Sequence, residues 1–150
     1  MPPRVDLTVD WWVEGSSGRI PAPELESLLL YALSREGQNG SWELAIRFVG
    51  DAEMSAAHEM YLGDPSPTDI MTFPYDDDEA VQGGDILISV DTAEANAAEH
   101  GWHPRDELRF LALHGLLHIL GWDDTDDADR SRMLDRQRAI LEAWRETGRV

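Results

Sequence analysis

His114 and His118 lie four residues apart inside a leucine-rich run. On a helix that spacing stacks two imidazoles one turn apart on a single face. Two imidazoles so placed can share one metal ion, the arrangement zinc enzymes use. Gly121 follows, where the chain can reverse, and Trp122-Asp123-Asp124 brings carboxylates back toward the pair. Two histidines and one carboxylate leave a coordination position open for water, as catalytic rather than structural sites do. The competing reading is two core histidines hydrogen-bonded to backbone or carboxylates. Zinc peptidases of the HExxH kind place their general base directly after the first histidine, and here that residue is Gly115. A metalloprotease is therefore a poor fit, while metal-assisted attack of water suits a phosphodiester equally well. The same ligand types also suit iron in oxygenases, but no cosubstrate motif is identifiable.

The segment carrying the pair reads as a helix over 104–120, opened by Pro104 and ended by Gly121. Its leucines, with Phe110 and Ile119, leave it apolar on nearly all sides, so it belongs at the centre of a domain. Strands are expected at 4–12, 42–49, 69–73 and 85–90; the first places Val5, Leu7, Val9 and Trp11 on one face. Further helices are expected at 22–36, 52–61, 92–100 and 128–146, capped in the last three cases by Asp51, Asp91 and either Asp126 or Asp127. Asp64-Pro-Ser-Pro-Thr68 reads as a rigid turn, Asp76–Glu79 as an acidic loop and Gly83-Gly84 as a turn. The order βαβαββααα predicts a single α+β domain over residues 1–150, with a four-stranded mixed sheet packed with about five helices. The first two strands, joined through a helix, should be parallel, and the last two could form a hairpin.

Composition bounds the setting. The 150 residues carry 30 acidic and 12 basic side chains, a formal charge of −18, and every base is arginine. An apolar content of 42% and six tryptophans argue against the disorder that high net charge can signal. The absence of cysteine excludes disulfides, thiolate ligands and a cysteine nucleophile. No run approaches the ~18 apolar residues of a membrane helix, and the first residues lack a signal peptide's pattern, so a cytoplasmic protein is expected. An acidic, lysine-free chain looks like a protein adapted to molar salt, where screening to about 3 Å removes most self-repulsion.

Three blocks in order make the chain resemble the YbeY endoribonucleases, bacterial rRNA maturation factors. They are Pro67-Thr-Asp-Ile-Met-Thr-Phe-Pro74, Gly84-Asp-Ile-Leu-Ile-Ser89 and His114-Gly-Leu-Leu-His-Ile-Leu-Gly-Trp-Asp-Asp124. The resemblance implies one catalytic zinc ion, with His114 and His118 as metal-binding and catalytic residues. It implies cleavage of single-stranded RNA in maturation of the 3′ end of small-subunit rRNA, with the small ribosomal subunit and its proteins as partners. Thr68 and Asp69 would border the site and orient substrate. Two positions depart from the family pattern. Its third metal histidine is Asp124 here, a competent zinc ligand whose negative charge makes bound water less acidic; Asp123 or a water bridge could serve instead. Its arginine after the tyrosine that precedes the first block is Leu62, and Arg105 or Arg109 are the candidate replacements.

Residues 130–150 hold six arginines against three acids, the only basic stretch in a chain that should otherwise repel RNA. The last helix, through Arg132 and Arg136, is accordingly a candidate RNA-facing surface; the alternative is a solvated face of paired charges. Asp123–Asp129 does not make a calcium loop, because the sixth and twelfth positions counted from Asp124 are Asp129 and Asp135 rather than glycine and glutamate. His58, His100 and His103 read as surface or loop residues. A ribosome-assembly factor that binds the small subunit without cutting is the rival function, favoured by Asp124 and Leu62. Neither DNA nor a membrane is expected as a partner.

Overall fold

The computed structural model describes residues 2–14, 18–64, 66, 68–76 and 81–148. Pro65 and Pro67 of the expected rigid turn, Asp77, Asp78 and Glu79 of the acidic loop, and Arg149 of the basic stretch lie outside the described residues. The elements run β1 (Pro3–Trp11), α1 (Ala22–Arg35), β2 (Gly40–Val49), α2 (Asp51–Leu62), β3 (Ile70–Pro74), β4 (Gln82–Ser89), α3 (Val90–His100), α4 (Pro104–Ile119) and α5 (Asp127–Glu146). This is the expected α+β order.

The sheet is mixed, with strands in the order β1-β2-β4-β3. β1 and β2 run parallel from Pro3 opposite Gly40 to Trp11 opposite Phe48, and β3 and β4 form an antiparallel pair from Ile70 opposite Ile88 to Pro74 opposite Gly84. The main core fills the side of the sheet that carries α1, α4 and α5. There Leu44, Ile46, Phe48, Ile86 and Ile88 meet Leu28, Leu113, Leu117 and Trp144. On the other side a smaller cluster of Val49, Met54 and Met71 seats α2. Gly83-Gly84 is not a turn: both residues lie inside β4. Gly83 has φ +139°, and a Cβ there would sit 1.8 Å from the Glu43 carbonyl oxygen, so only glycine lets β4 lie this close to β2.

Two caps are exchanged relative to expectation. Gly50, not Asp51, stands at the N-cap of α2, and Ser89, not Asp91, caps α3 by accepting from the Thr92 N–H at 3.2 Å. Asp91 instead accepts from the Asp51 N–H at 2.8 Å, while the Asp51 carboxylate accepts from the Ser89 and Thr92 hydroxyls at 2.6 and 2.8 Å. Asp91 thus satisfies a first-turn N–H of α2, while Asp51 holds the two hydroxyls at the start of α3, because the two helices start side by side. Asp126 caps α5 through the Asp129 N–H.

Helix α4 occupies the centre, touching α1, α3, α5, β3 and β4. Gly115 allows this: a Cβ there would lie 3.0 Å from Ile70 and from Ile86, so the helix backbone rests directly on β3 and β4. Arg109, only 7% exposed, ties α4 to α1 through Glu24 and bonds Asp106 at 3.0 Å. No helix among the described residues is long and apolar enough to cross a membrane.

Candidate metal centre

The site is made by the way α4 ends. Gly121 adopts φ +100°, its N–H reaching the His118 carbonyl at 3.0 Å while the Trp122 N–H reaches the Leu117 carbonyl at 3.0 Å. These are the paired bonds of a Schellman turn, which needs a residue able to enter the left-handed region at that point. The turn folds the chain back over the last helical turn. The Trp122 carbonyl comes within 3.1 Å of His118 Nδ1, and the Asp124 carboxylate lands beside both imidazoles. Asp124 Oδ2 is 3.3 Å from His114 Nε2 and 3.3 Å from His118 Nε2, which are 3.1 Å from each other.

The hydrogen bonds around this triangle fix where the protons are. A carbonyl oxygen can only accept, so His118 Nδ1 carries the proton it donates to Trp122. Gln137, fully buried, donates its Nε2 to the Phe110 carbonyl at 2.7 Å, which turns its Oε1 toward His114 Nδ1 at 3.0 Å. His114 Nδ1 is therefore a donor too. In the neutral tautomers both Nε2 atoms present lone pairs, and they face each other and a carboxylate oxygen with no hydrogen among the three. Such a cluster repels itself unless a cation sits inside it. Zinc with bonds of about 2.0–2.1 Å in tetrahedral geometry spaces neighbouring ligand atoms roughly 3.3 Å apart, which the observed triangle matches. Among the described residues this is the one group of three histidine or acidic side chains that could hold a metal ion.

The supporting partners come from distant parts of the chain. Gln137 stands on the buried stripe of α5 with Met133, Ile140, Leu141 and Trp144. Glu36, just past α1, accepts from Trp122 Nε1 at 2.9 Å and from Arg136 at 3.2 Å, which pins the reversing loop to two helices. Neither residue was singled out from the sequence. A lone polar residue interrupting an apolar stripe was the available signal for Gln137; Glu36 gave none.

The remaining candidates are more dispersed. The Asp123 carboxylate bonds the Thr125 N–H and hydroxyl at 3.0 Å each, and those bonds, the hydroxyl's first, hold it below the usual carboxylate range. Thr68 and Asp69 are half-buried just before β3, where the Asp69 carbonyl accepts from the Ser89 N–H at 2.9 Å. Arg132 is exposed beside Leu120, Gly121 and Trp122 and pairs with Asp129. Arg136 reaches the Arg35 carbonyl and Glu36 at the end of α1. Arg130, Arg138 and Arg145 have carboxylate partners as well, so each described arginine of α5 is ion-paired. Leu62 is exposed at the end of α2, and Arg109 lies buried between Glu24 and Asp106.

Against known proteins, the family model described as Endoribonuclease YbeY matches residues 19–145. The chain belongs to the YbeY family. Relatives named Endoribonuclease YbeY include one from Synechococcus sp., 41% identical over 91% of this chain and 86% of its own length. Another, from Macrococcus caseolyticus, is 38% identical over 81% of this chain and 84% of its own. A Thermotoga maritima protein solved in solution shares the fold, with a TM-score of 0.65, 22% identity and coverage of 96% of this chain and 95% of that one. Gly115, where HExxH peptidases carry their base, instead lies against Ile70 and Ile86 of the sheet, with no room for a side chain.

Proposed function

We propose that His114, His118 and Asp124 hold one divalent metal ion, zinc, and that the chain uses it to cleave single-stranded RNA in the maturation of the 3′ end of small-subunit rRNA, in the cytoplasm. As a member of its family the chain is a metal-dependent endoribonuclease, and RNA is its substrate. The observation that supports this ligand set is the convergence of two Nε2 atoms and one carboxylate oxygen within 3.3 Å of one another.

A metal held by His114, His118 and Asp124 would supply Lewis-acid chemistry, polarising a phosphate oxygen and activating water. The protein's own part is orientation. Gln137 and the Trp122 carbonyl hold each Nδ1 proton and so aim each Nε2 lone pair, as outer partners of metal histidines do. Asp124 adds a negative charge that offsets part of the cation's, which places this chain's optimum for hydrolysis at higher pH than a three-histidine site's. Thr68 and Asp69 orient the strand, and Arg132, at the rim of the reversing loop, with Arg136 behind it, contacts its backbone.

The test compares wild type with His118→Ala, purified in molar KCl. About one zinc per chain and cleavage of unstructured RNA, both lost in the variant, are expected. Zinc without cleavage would favour the rival, a factor that binds the small subunit without cutting, which the departures at Asp124 and Leu62 support. Absence of stoichiometric metal would overturn the ligand assignment.

A further inference from the structure

One turn before His114 along α4, and joined to it through Gln137, lies a recess of about 280 Å³ between the starts of α4 and the second half of α5. Its walls are Trp102, Phe110 and Leu141, with Arg138 and Arg145 on one rim and Asp106 and Glu142 beside them. Trp102 is 41% exposed although it meets Phe110 edge-on at 5.6 Å and His100 at 5.1 Å. An indole held by two neighbouring rings and still partly open to solvent is a fixed aromatic surface beside the recess.

We infer that this recess binds one nucleotide of the RNA strand, its base stacked on Trp102 and its phosphate met by Arg145 and Arg138; the inference rests on the proposed RNA cleavage at the metal centre. Charge and position both argue for a nucleotide. Asp106 is shared, bonded by Arg109 at 3.0 Å and by Arg145 at 3.4 Å. Arg109 is buried and keeps its partner, so the half-exposed Arg145 can turn outward without leaving a buried carboxylate unpaired. Arg138 meets Asp135 only at 3.8 Å, with its side chain mostly exposed. Asp106 and Glu142 supply acceptors for a base's amino group. The separation also suits the purpose: Phe110 and His114 are four residues, roughly 6 Å, apart along the helix axis. A strand whose phosphate lies at the metal would reach the recess within a nucleotide or two.

The physical need for such a platform comes from the charge. At −18 the chain gains little from general attraction to phosphate, and salt weakens that further. Base–aromatic stacking is tolerant of sequence and neutralises no phosphate, so it releases no counterions for salt to oppose; an exposed indole beside the site can hold RNA where charge cannot.

The experiment measures the dissociation constant of a short, labelled, unstructured RNA by fluorescence anisotropy in molar KCl, using the zinc-loaded chain. Trp102→Leu should weaken binding about tenfold, and Trp102→Phe, which keeps a stacking face, should recover most of it. Arg145→Gln should lower the slope of log affinity against log salt by roughly one. Zinc content and thermal midpoint should match wild type in all three. Binding by Trp102→Leu within twofold of wild type would overturn the subsite, as would failure of wild type to bind RNA. Tight, Trp102-dependent binding without cleavage would keep the subsite and strike the proposed hydrolysis instead.

Discussion

The two ends of α4 each carry histidine and acidic side chains, and they use them in opposite ways. At the start, His103 caps the helix, its Nδ1 accepting from the Arg105 N–H at 3.1 Å, so that lone pair is engaged by backbone. His100 faces Glu107 Oε2 at 3.9 Å, and Glu107 is 4% exposed, that oxygen having no hydrogen-bond partner among the described residues. At the end, His114 and His118 turn their Nδ1 protons toward Gln137 and the Trp122 carbonyl, which leaves both Nε2 lone pairs aimed at one point with Asp124. The residue types are the same. What differs is the partner of the second ring nitrogen, which decides whether an imidazole caps a helix or is ready for a metal.

The largest effect should come from breaking the arrangement at the metal end without touching a ligand. Gln137→Leu removes the acceptor that orients His114, and metal affinity measured by competition with a chelator should fall about 10–100-fold. An unchanged affinity would mean that ring packing alone orients His114. Gly115→Ala pushes a methyl to 3.0 Å from Ile70 and Ile86 and should cost about 1–3 kcal/mol in denaturant unfolding. Its metal affinity should fall as well, since the imidazoles ride on the displaced helix. At the other end, His103→Ala should cost at most about 1 kcal/mol, the ordinary loss of an N-cap, with zinc content unaltered.

The smallest effect is a pH dependence. Burial, with Asp69 adding to it and His100 opposing, raises the Glu107 pKa above the ordinary carboxylate value. A raised folded pKa means that the native state prefers the protonated acid. Its contribution is whole below the unfolded value of about 4.3 and is lost as pH rises through the folded one. Glu107→Gln should therefore gain on wild type in thermal stability as pH rises through that window, and the gap should close in acid. Parallel stability curves across that range would show that Glu107 keeps an ordinary pKa.

Much of this molecule could be read from local pattern. Alternation in β1 and β2, the proline opening α4 and the glycine closing it each reflect a constraint spanning a few residues, and the elements appear within about three residues of the expected ranges. The exceptions share a cause. Gly83-Gly84 looked like a turn because glycine pairs usually serve one, yet the closeness of Glu43, some forty residues away, requires glycine inside the strand. Asp51 and Asp91 looked like caps of their own helices; instead Asp91 accepts from the first turn of α2 and Asp51 holds the hydroxyls of Ser89 and Thr92, because two helix starts meet in space. The arginines of α5 could be read either as an RNA-facing surface or as a face of paired charges, a choice local pattern does not make; each described one has a carboxylate within reach.

The sequence by itself determined the pair of imidazoles on one helical face, the glycine that reverses the chain and the carboxylate that returns to them, since all three follow from spacing within eleven residues. Tertiary structure decided which nitrogen of His114 points inward, through Gln137, whereas the Trp122 carbonyl orients His118 from within the same turn. Gln137 and Glu36 come from helices packed against the site from elsewhere in the chain. Local periodicity marks such partners at most as a polar break in an apolar stripe, as at Gln137, and never says what they will meet, because packing joins residues that the chain keeps far apart.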